Sequence, residues 1–309
     1  MKRSTSIACT SIAIESMLAA SGCAATDQAG AAPAESPNPG NCAVQEHAMG
    51  LRWQQQSAEA QALQSQIYRI AGERLEEKIK QAKSENLAII TDLDETAINN
   101  TELLARDVAA CHDYSTWDTW DQWELKGSPS AIPGAAEFFQ KADELGVSIY
   151  YLSDRTEENL DATIASLKRL DFPQVSKDQV MLLGPSKEER RTKIQEKHKV
   201  VMQLGDTLHD FAGHYAKADL GQQRQLVEKD SGHFGDDWFI LPNPTYGSWE
   251  DAELDEWDAE LEVNPRSERG YQRQSVVPAL PDIRTKTTEL SPICVLLHSI
   301  GNDNIVHNC

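Results

Sequence analysis

A hydrophobic run, Leu87 to Ile90, gives way after Thr91 to two aspartates one residue apart, Asp92 and Asp94. Apolar runs this short, bounded by polar residues, suit a parallel strand covered on both faces. Two carboxylates at the carboxyl end of such a strand are costly to desolvate unless a cation pairs with them. Mg²⁺, a hard ion that takes oxygen ligands and substrate phosphates, is the cation such a pair attracts. The plain alternative is a strand running into an acidic, solvated turn, and the pattern D-x-D-x-T alone does not choose between the two.

The rest of the chain supplies the choice. Strand-like runs recur at Leu87 to Asp92, Val147 to Ser153, Gln179 to Leu183, Val200 to Gly205 and Trp238 to Leu241. Helical segments separate most of them, such as Ala135 to Leu145 after Pro133-Gly134, and Glu157 to Leu170. This alternation predicts an α/β fold with a mostly parallel sheet, whose ligands bind at the carboxyl ends of the strands. Upstream, Leu63, Ile67, Ile70 and Leu75 recur at helical spacing and predict one long helix from Leu51 to Lys83, packed on the body through Trp53 and Tyr68.

The predicted strand ends carry a pattern. The second ends in Leu152-Ser153-Asp154-Arg155, and the third is followed by Gly184-Pro185-Ser186-Lys187. The fourth ends in Gly205-Asp206-Thr207-Leu208-His209-Asp210. Each has a bland reading: Ser153 as a helix cap, Lys187 as one cation in a charged run, Asp206 and Asp210 as acids at a helix start. Together, in order on successive strands, they read as one site.

Composition narrows the partners. Of 309 residues, 40% are hydrophobic and 25% charged, which fits a soluble globular chain of one large or two modest domains. A formal net charge of −20 excludes a nucleic-acid polymer as ligand, because phosphate backbones need Lys/Arg surfaces. A small phosphorylated substrate remains open if a metal and a few cations sit in the cleft.

The N-terminus reads as an export signal over residues 1–22: Lys2 and Arg3, then an apolar segment from Ile7 to Ala20 that Glu15 interrupts. Ala20-Ser21-Gly22-Cys23 resembles a bacterial lipobox, which predicts lipidation at Cys23, a lipid anchor in the membrane, and a place in the cell envelope. A simply cleaved signal, leaving a periplasmic or secreted protein, is the alternative. Residues 23–50 read as a flexible tether, since 24–41 are rich in Ala, Pro, Ser, Gly and Asn. Of six cysteines, Cys9 leaves with the signal and Cys23 carries lipid; pairing among Cys42, Cys111, Cys294 and Cys309 stays open. None has C-x-x-C spacing, so no zinc site is expected.

The ordered motifs resemble the haloacid dehalogenase superfamily of phosphohydrolases. Asp92-Leu-Asp94-Glu-Thr96 matches its first motif, Ser153 its second, Lys187 its third, and Asp206 with Asp210 its fourth. Within it the chain is similar to class C acid phosphatases, the bacterial outer-membrane lipoprotein e type, which include 5′-nucleotidases. Supporting phrases are Trp53-Gln-Gln-Gln-Ser-Ala-Glu, Ala131-Ile-Pro-Gly-Ala, Ser153-Asp-Arg and Trp238-Phe-Ile-Leu-Pro-Asn-Pro-Thr-Tyr-Gly-Ser-Trp249. The resemblance runs from about Leu51 to Glu250, departs at His209, and places nothing in the tail.

That resemblance implies a Rossmann-like core with a small helical cap over about 97–130, within a phosphatase domain of 51–263, followed by an extension of unknown role at 264–309. It implies a Mg²⁺-dependent phosphomonoesterase in which Asp92 is the nucleophile, forming an aspartyl phosphate, and Asp94 is the general acid and base. Asp92, Asp206 and the backbone carbonyl of Asp94 would hold Mg²⁺. Ser153 and Lys187 would hold the phosphoryl oxygens, and Asp210 would orient Lys187 or a metal-bound water. Nucleoside monophosphates and other small phosphomonoesters are the implied substrates, and a homodimer is left open. The cap segment carries Tyr114, Trp117, Trp120 and Trp123; Tyr114 and Trp117 are expected to stack on a nucleobase, the alternative being that these rings are cap core. An alternative function is a surface lipoprotein that binds a ligand such as haem on a phosphatase scaffold, against which stand few histidines and no axial pair.

Overall fold

A computed structural model describes residues 42–82 and 86–261. The signal segment 1–22, Cys23, the tether up to residue 41 and the extension 264–309 lie outside the described residues. Helices α1 (Ala48–Gln56) and α2 (Ala58–Gln81) precede the first strand, β1 (Leu87–Thr91). Next come β2 (Ile98–Asn99), α3 (Thr101–Ala109), α4 (Trp120–Lys126) and β3 (Ser130–Ala131). The chain continues through α5 (Ala135–Glu144), β4 (Ser148–Leu152), α6 (Leu160–Arg169), β5 (Val180–Met181) and α7 (Lys187–Gln195). It closes with β6 (Lys199–Gly205), α8 (Leu220–Lys229) and β7 (Trp238–Ile240).

Five strands form a parallel sheet in the order β5-β4-β1-β6-β7, the α/β architecture the alternation predicts. β1 lies in the middle with all five residues buried, which is why its sequence is a continuous apolar run. Successive side chains point to opposite faces. Ile89 enters the larger core with Tyr68 and Leu75 of α2 and Phe138 and Phe139 of α5. Ala88 and Ile90 face the other layer, with Leu152 and Ile194 of α7. The carboxyl ends of β1, β4 and β6 therefore open on one edge, with the start of α7 beside them.

The cap is a separate packing unit on that edge. Its stem is the antiparallel pair β2 and β3, with Ile98 opposite Ala131, so the chain leaves and returns where the segment 97–130 predicts. Its core joins Leu103, Leu104 and Val108 of α3 with Tyr114 and Trp120, but also with Val44 and Leu51. The N-terminal segment thus completes the cap, and two readings of the sequence are corrected. The tether does not extend to residue 50: Ala43–His47 is a 3-10 turn, α1 follows, and Cys42 forms a disulfide with Cys111 across a Cα separation of 5.6 Å. Nor is Leu51 to Lys83 one helix. Ser57 is extended, and its hydroxyl accepts from the backbone N–H of Ala60 at 3.0 Å, so α2 starts on its own cap while α1 turns towards α3. The Cys42–Cys111 bond is consistent with an oxidising, extracytoplasmic compartment.

This compact unit ends at Glu253, ten residues short of the expected boundary at 263, and the second unit is described only as far as Leu261, with no helix or strand there. Among the described residues, no helix is long and apolar enough to cross a membrane.

Candidate active site

Asp92 follows β1 directly and is 7% exposed. Its Oδ1 accepts from Lys187 Nζ at 2.7 Å, and the same ammonium donates to Oδ1 of Asp210 at 2.6 Å. Lys187 reaches them because it is the first residue of α7, whose N-terminus is set by a capping box between Ser186 and Glu189. Asp210 closes the turn after β6: its Oδ2 accepts from the backbone N–H and the hydroxyl of Thr207, both at 2.9 Å. Gly205 is required there, since a Cβ on it would lie 2.3 Å from Cβ of Asp210. Asp206 accepts from Asn243 Nδ2 at 2.7 Å and from the Thr96 hydroxyl at 3.1 Å.

Carboxylate oxygens of Asp92, Asp206 and Asp210 all lie within 4.8 Å of one another. Burial pushes Asp92 well above the usual carboxylate range; the Lys187 ammonium opposes this, and Asp210 and Asp206 add to it. Burial, then the neighbouring Asp210, pushes Asp206 up to about 8, with the Asn243 amide opposing. Burial works against the charge on Lys187, but Asp210 and Asp92 outweigh it and hold the ammonium well above its ordinary range. One lysine is too little cation for three carboxylates this close together, two of them buried, and an all-oxygen donor set suits a hard divalent ion. Asp92 and Asp206 face the cleft and Asp210 does not, which points to Asp92 and Asp206 as the ligand pair.

Asp94 is held differently. Arg155 grips its carboxylate through Nε at 2.9 Å and Nη2 at 2.8 Å, both to Oδ1. Asn100 Nδ2 donates to Oδ1 at 2.8 Å and the Ser153 hydroxyl to Oδ2 at 3.1 Å. Asn100 is the junction between cap and core, since its Oδ1 also accepts from Trp123 Nε1 at 2.8 Å and from Arg155 Nη2 at 3.0 Å. Between the two aspartates and this junction lies Glu95, fully buried, in the left-handed region at φ 56°. It accepts from the Tyr246 hydroxyl and from the backbone N–H of Asn100 at 2.9 Å. Burial, then the nearby Asp94, pushes its carboxyl up to about 7, with Tyr246 and Asn100 opposing.

α7 fastens the neighbouring strand ends. Arg190 donates to the carbonyls of Ser153, Met181 and Leu182 at 2.7, 2.9 and 3.0 Å. Arg191 donates to those of His209 and Asp210 at 3.1 and 3.0 Å.

A cleft of about 1100 Å³ opens over these groups, lined by Asp92, Asp94, Arg155, Lys187 and Asp206. Its upper wall is aromatic: Trp117, Trp120 and Tyr246 line it, with Trp117 5.1 Å from Trp120 and 5.2 Å from Tyr246 between ring centroids. The sequence-predicted residues Asp92, Asp94, Lys187, Asp206 and Trp117 all line the cleft, and Asp210 supports them from behind Lys187. Ser153, expected to hold the phosphoryl oxygens, does not line the cleft; it is fully buried and its hydroxyl donates to Asp94 instead. Tyr114 is corrected as well. It is 1% exposed, its hydroxyl donates to the Thr245 carbonyl, and it belongs to the cap core rather than to the cleft. Arg155, Asn100, Thr96, Asn243 and Tyr246 fall within sequence phrases that carry the resemblance or beside them; all but Asn100, which meets Asp94 and Glu95 within six residues, gain roles only from partners distant in sequence.

Comparison with known proteins agrees with this geometry. The family model described as HAD superfamily, subfamily IIIB (acid phosphatase), matches residues 7–249. Among solved structures, the chain is similar to the class C acid phosphatase from Bacillus anthracis, at 34% identity over 68% of this chain and 88% of that one, with a TM-score of 0.64. The tungstate-bound crystal structure of a class C acid phosphatase from the same organism is 32% identical, over 70% of this chain and 93% of that one, with a TM-score of 0.65.

Proposed function

The chain belongs to the acid phosphatases of HAD subfamily IIIB and is a phosphomonoester hydrolase; on that premise we propose a Mg²⁺-dependent reaction through an aspartyl phosphate, with nucleoside monophosphates and other small phosphomonoesters as substrates. The observation that carries it is the three carboxylates of Asp92, Asp206 and Asp210 gathered within 4.8 Å beside a single lysine. Asp92, Asp206 and the backbone carbonyl of Asp94 would hold the ion, whose charge lets a carboxylate approach a phosphate dianion.

The remaining work falls to the side chains. Lys187 keeps Oδ1 of Asp92 occupied, which leaves Oδ2 to attack phosphorus. Its ammonium offsets charge on the phosphoryl oxygens as they flatten in the transition state. Asp94 hands a proton to the leaving oxygen, then takes one from the water that cleaves the acyl phosphate. Every partner of the Asp94 carboxylate is a donor, which suits the ionised state. Of these, only the Ser153 hydroxyl can rotate and accept, so Ser153 gives Asp94 a way to hold its proton between turnovers. The aromatic wall of Trp117, Trp120 and Tyr246 supports a ring-bearing leaving group, a nucleobase among them.

The test is phosphate release from p-nitrophenyl phosphate and from a nucleoside monophosphate, after exhaustive chelation and after Mg²⁺ is restored. Loss and recovery are expected; full activity after chelation overturns the one-metal reading. The same proposal places the enzyme in the cell envelope as a lipoprotein anchored at Cys23. Mass spectrometry of membrane fractions should find a diacylglyceryl adduct there, and a free amine at another N-terminus would reject the anchor.

A further inference from the structure

Glu95 is a buried carboxylate that the proposed reaction does not use. It is 0% exposed and holds a left-handed backbone at φ 56°, a conformation that side-chain-bearing residues rarely adopt without a reason in the surrounding structure. Its side chain reaches Tyr246, 151 residues later, whose hydroxyl donates to Oε2. The other oxygen, Oε1, is fixed by the backbone N–H of Asn100 at 2.9 Å, where the cap begins.

Tyr246 is the element of the aromatic wall that the rest of the wall leans on. Its ring meets Trp117 edge-on at 5.2 Å and Trp120 at 6.1 Å, and it sits in the stretch after β7, outside the cap. Nothing but the ring packing and this one hydroxyl bond ties Tyr246 to the catalytic loop among the contacts described for its side chain.

We propose that Glu95 is a positioning residue for substrate choice: by anchoring the Tyr246 hydroxyl to the loop that carries Asp92 and Asp94, it sets the distance between the phosphoryl site and the aromatic wall. A ring-bearing leaving group then reaches the wall only when its phosphate is seated at Asp92. The proposal rests on the reading of the aromatic wall given above, and the chemistry of phosphoryl transfer does not pass through Glu95.

The test compares Glu95→Gln, Tyr246→Phe and the double variant on two substrates: a nucleoside 5′-monophosphate and butyl phosphate, which has no ring. Gln keeps the volume of Glu but offers one acceptor oxygen where Glu95 serves two donors, the Tyr246 hydroxyl and the Asn100 N–H; Phe keeps the ring and loses only the hydroxyl. Each single variant should lower the ratio of kcat/KM for nucleotide over butyl phosphate about tenfold, chiefly through KM, which is the size expected for one hydrogen bond to a charged group. The double variant should lose no more than Tyr246→Phe alone, because Glu95→Gln acts on the contact that Tyr246→Phe already removes. An unchanged ratio, or additive losses in the double variant, overturns the proposal. If Glu95→Gln does not fold, Tyr246→Phe alone carries the ratio, and an unchanged value there is equally fatal. Failure of the functional reading is distinct: the wild-type protein would then release phosphate from neither substrate, or would show no preference for the ring.

Discussion

Arg155 holds Asp94 by a two-pronged grip, Nε at 2.9 Å and Nη2 at 2.8 Å from the same carboxylate oxygen, with the arginine side chain 1% exposed. A charge this buried depends on its partner. Arg155→Met should therefore cost about 3–5 kcal/mol of stability, the range for stranding one member of a buried pair. Arg155→Lys keeps the charge but not the fork, and should lower kcat more than it changes KM because Asp94 is free to turn. Urea denaturation and steady-state kinetics on the two variants give the answer; a stability within error of wild type for Arg155→Met would show that the pair contributes nothing.

The two aspartates of the opening motif should separate kinetically. Asp92→Asn should abolish turnover on every substrate, since an amide cannot form the acyl phosphate. Asp94→Asn removes the proton donor and leaves the nucleophile. On p-nitrophenyl phosphate, whose leaving group barely needs a proton, it should give one burst and stall as phosphoenzyme. On a nucleotide it should lose about 10²–10⁴-fold at the first step, the usual size of general acid catalysis. Rapid quench on both substrates decides, and equal impairment with no burst would reverse the assignment.

Neighbouring rings of the cap should behave as opposites. Tyr114 is 1% exposed and Trp117 51%, and only Trp117 lines the cleft. Tyr114→Ala should cost about 3–5 kcal/mol, as large aromatic deletions in cores do. Trp117→Ala should leave the unfolding midpoint nearly where it was and raise KM for nucleotides. Thermal melts paired with Michaelis curves test both; a Trp117→Ala protein that is unstable but kinetically normal would place that ring in the core.

Opening the Cys42–Cys111 bond should loosen the cap before the sheet. The bridge spans a sequence separation of 69 and joins the segment before α1 to the end of α3. Chain-entropy arguments for a loop of this length give about 4 kcal/mol. Cys42→Ser should fall in that range, and hydrogen exchange should rise in α1 and α3 ahead of β1. Uniform exchange across sheet and cap would mean that the two unfold as one.

Much of the site was legible because each motif residue ends or follows an apolar run, and β1, β4 and β6 lie close to the runs that announced them. Asp92, Asp94, Lys187, Asp206 and Asp210 could be read that way. Arg155 and Tyr246 could not, since the first finds its partner 61 residues back and the second 151, and no local period encodes either distance. The cap aromatics could not be told apart from sequence. Tyr114 lies in a 3-10 turn, Trp117 sits at φ 62° after it, and α4 begins only at Trp120, so of the four rings only Trp120 and Trp123 share a helix. The stretch before residue 51 misled by composition, because small and polar residues look like linker until Cys42 and Leu51 find α3 and the residues beyond it.

The arginines of α7 divide the molecule's evolutionary liberties. One helical turn, Lys187 to Arg191, clasps the carboxyl ends of β4, β5 and β6 through backbone carbonyls and reaches the nucleophile at the end of β1 through Lys187. Carbonyls are the same whatever residue bears them, so this clasp tolerates side-chain drift around it while forbidding relative movement of the ends it binds. Variation in a lineage of such enzymes should then gather in the cap beyond Asn100, where new leaving groups can be tried without disturbing the frame that breaks the ester.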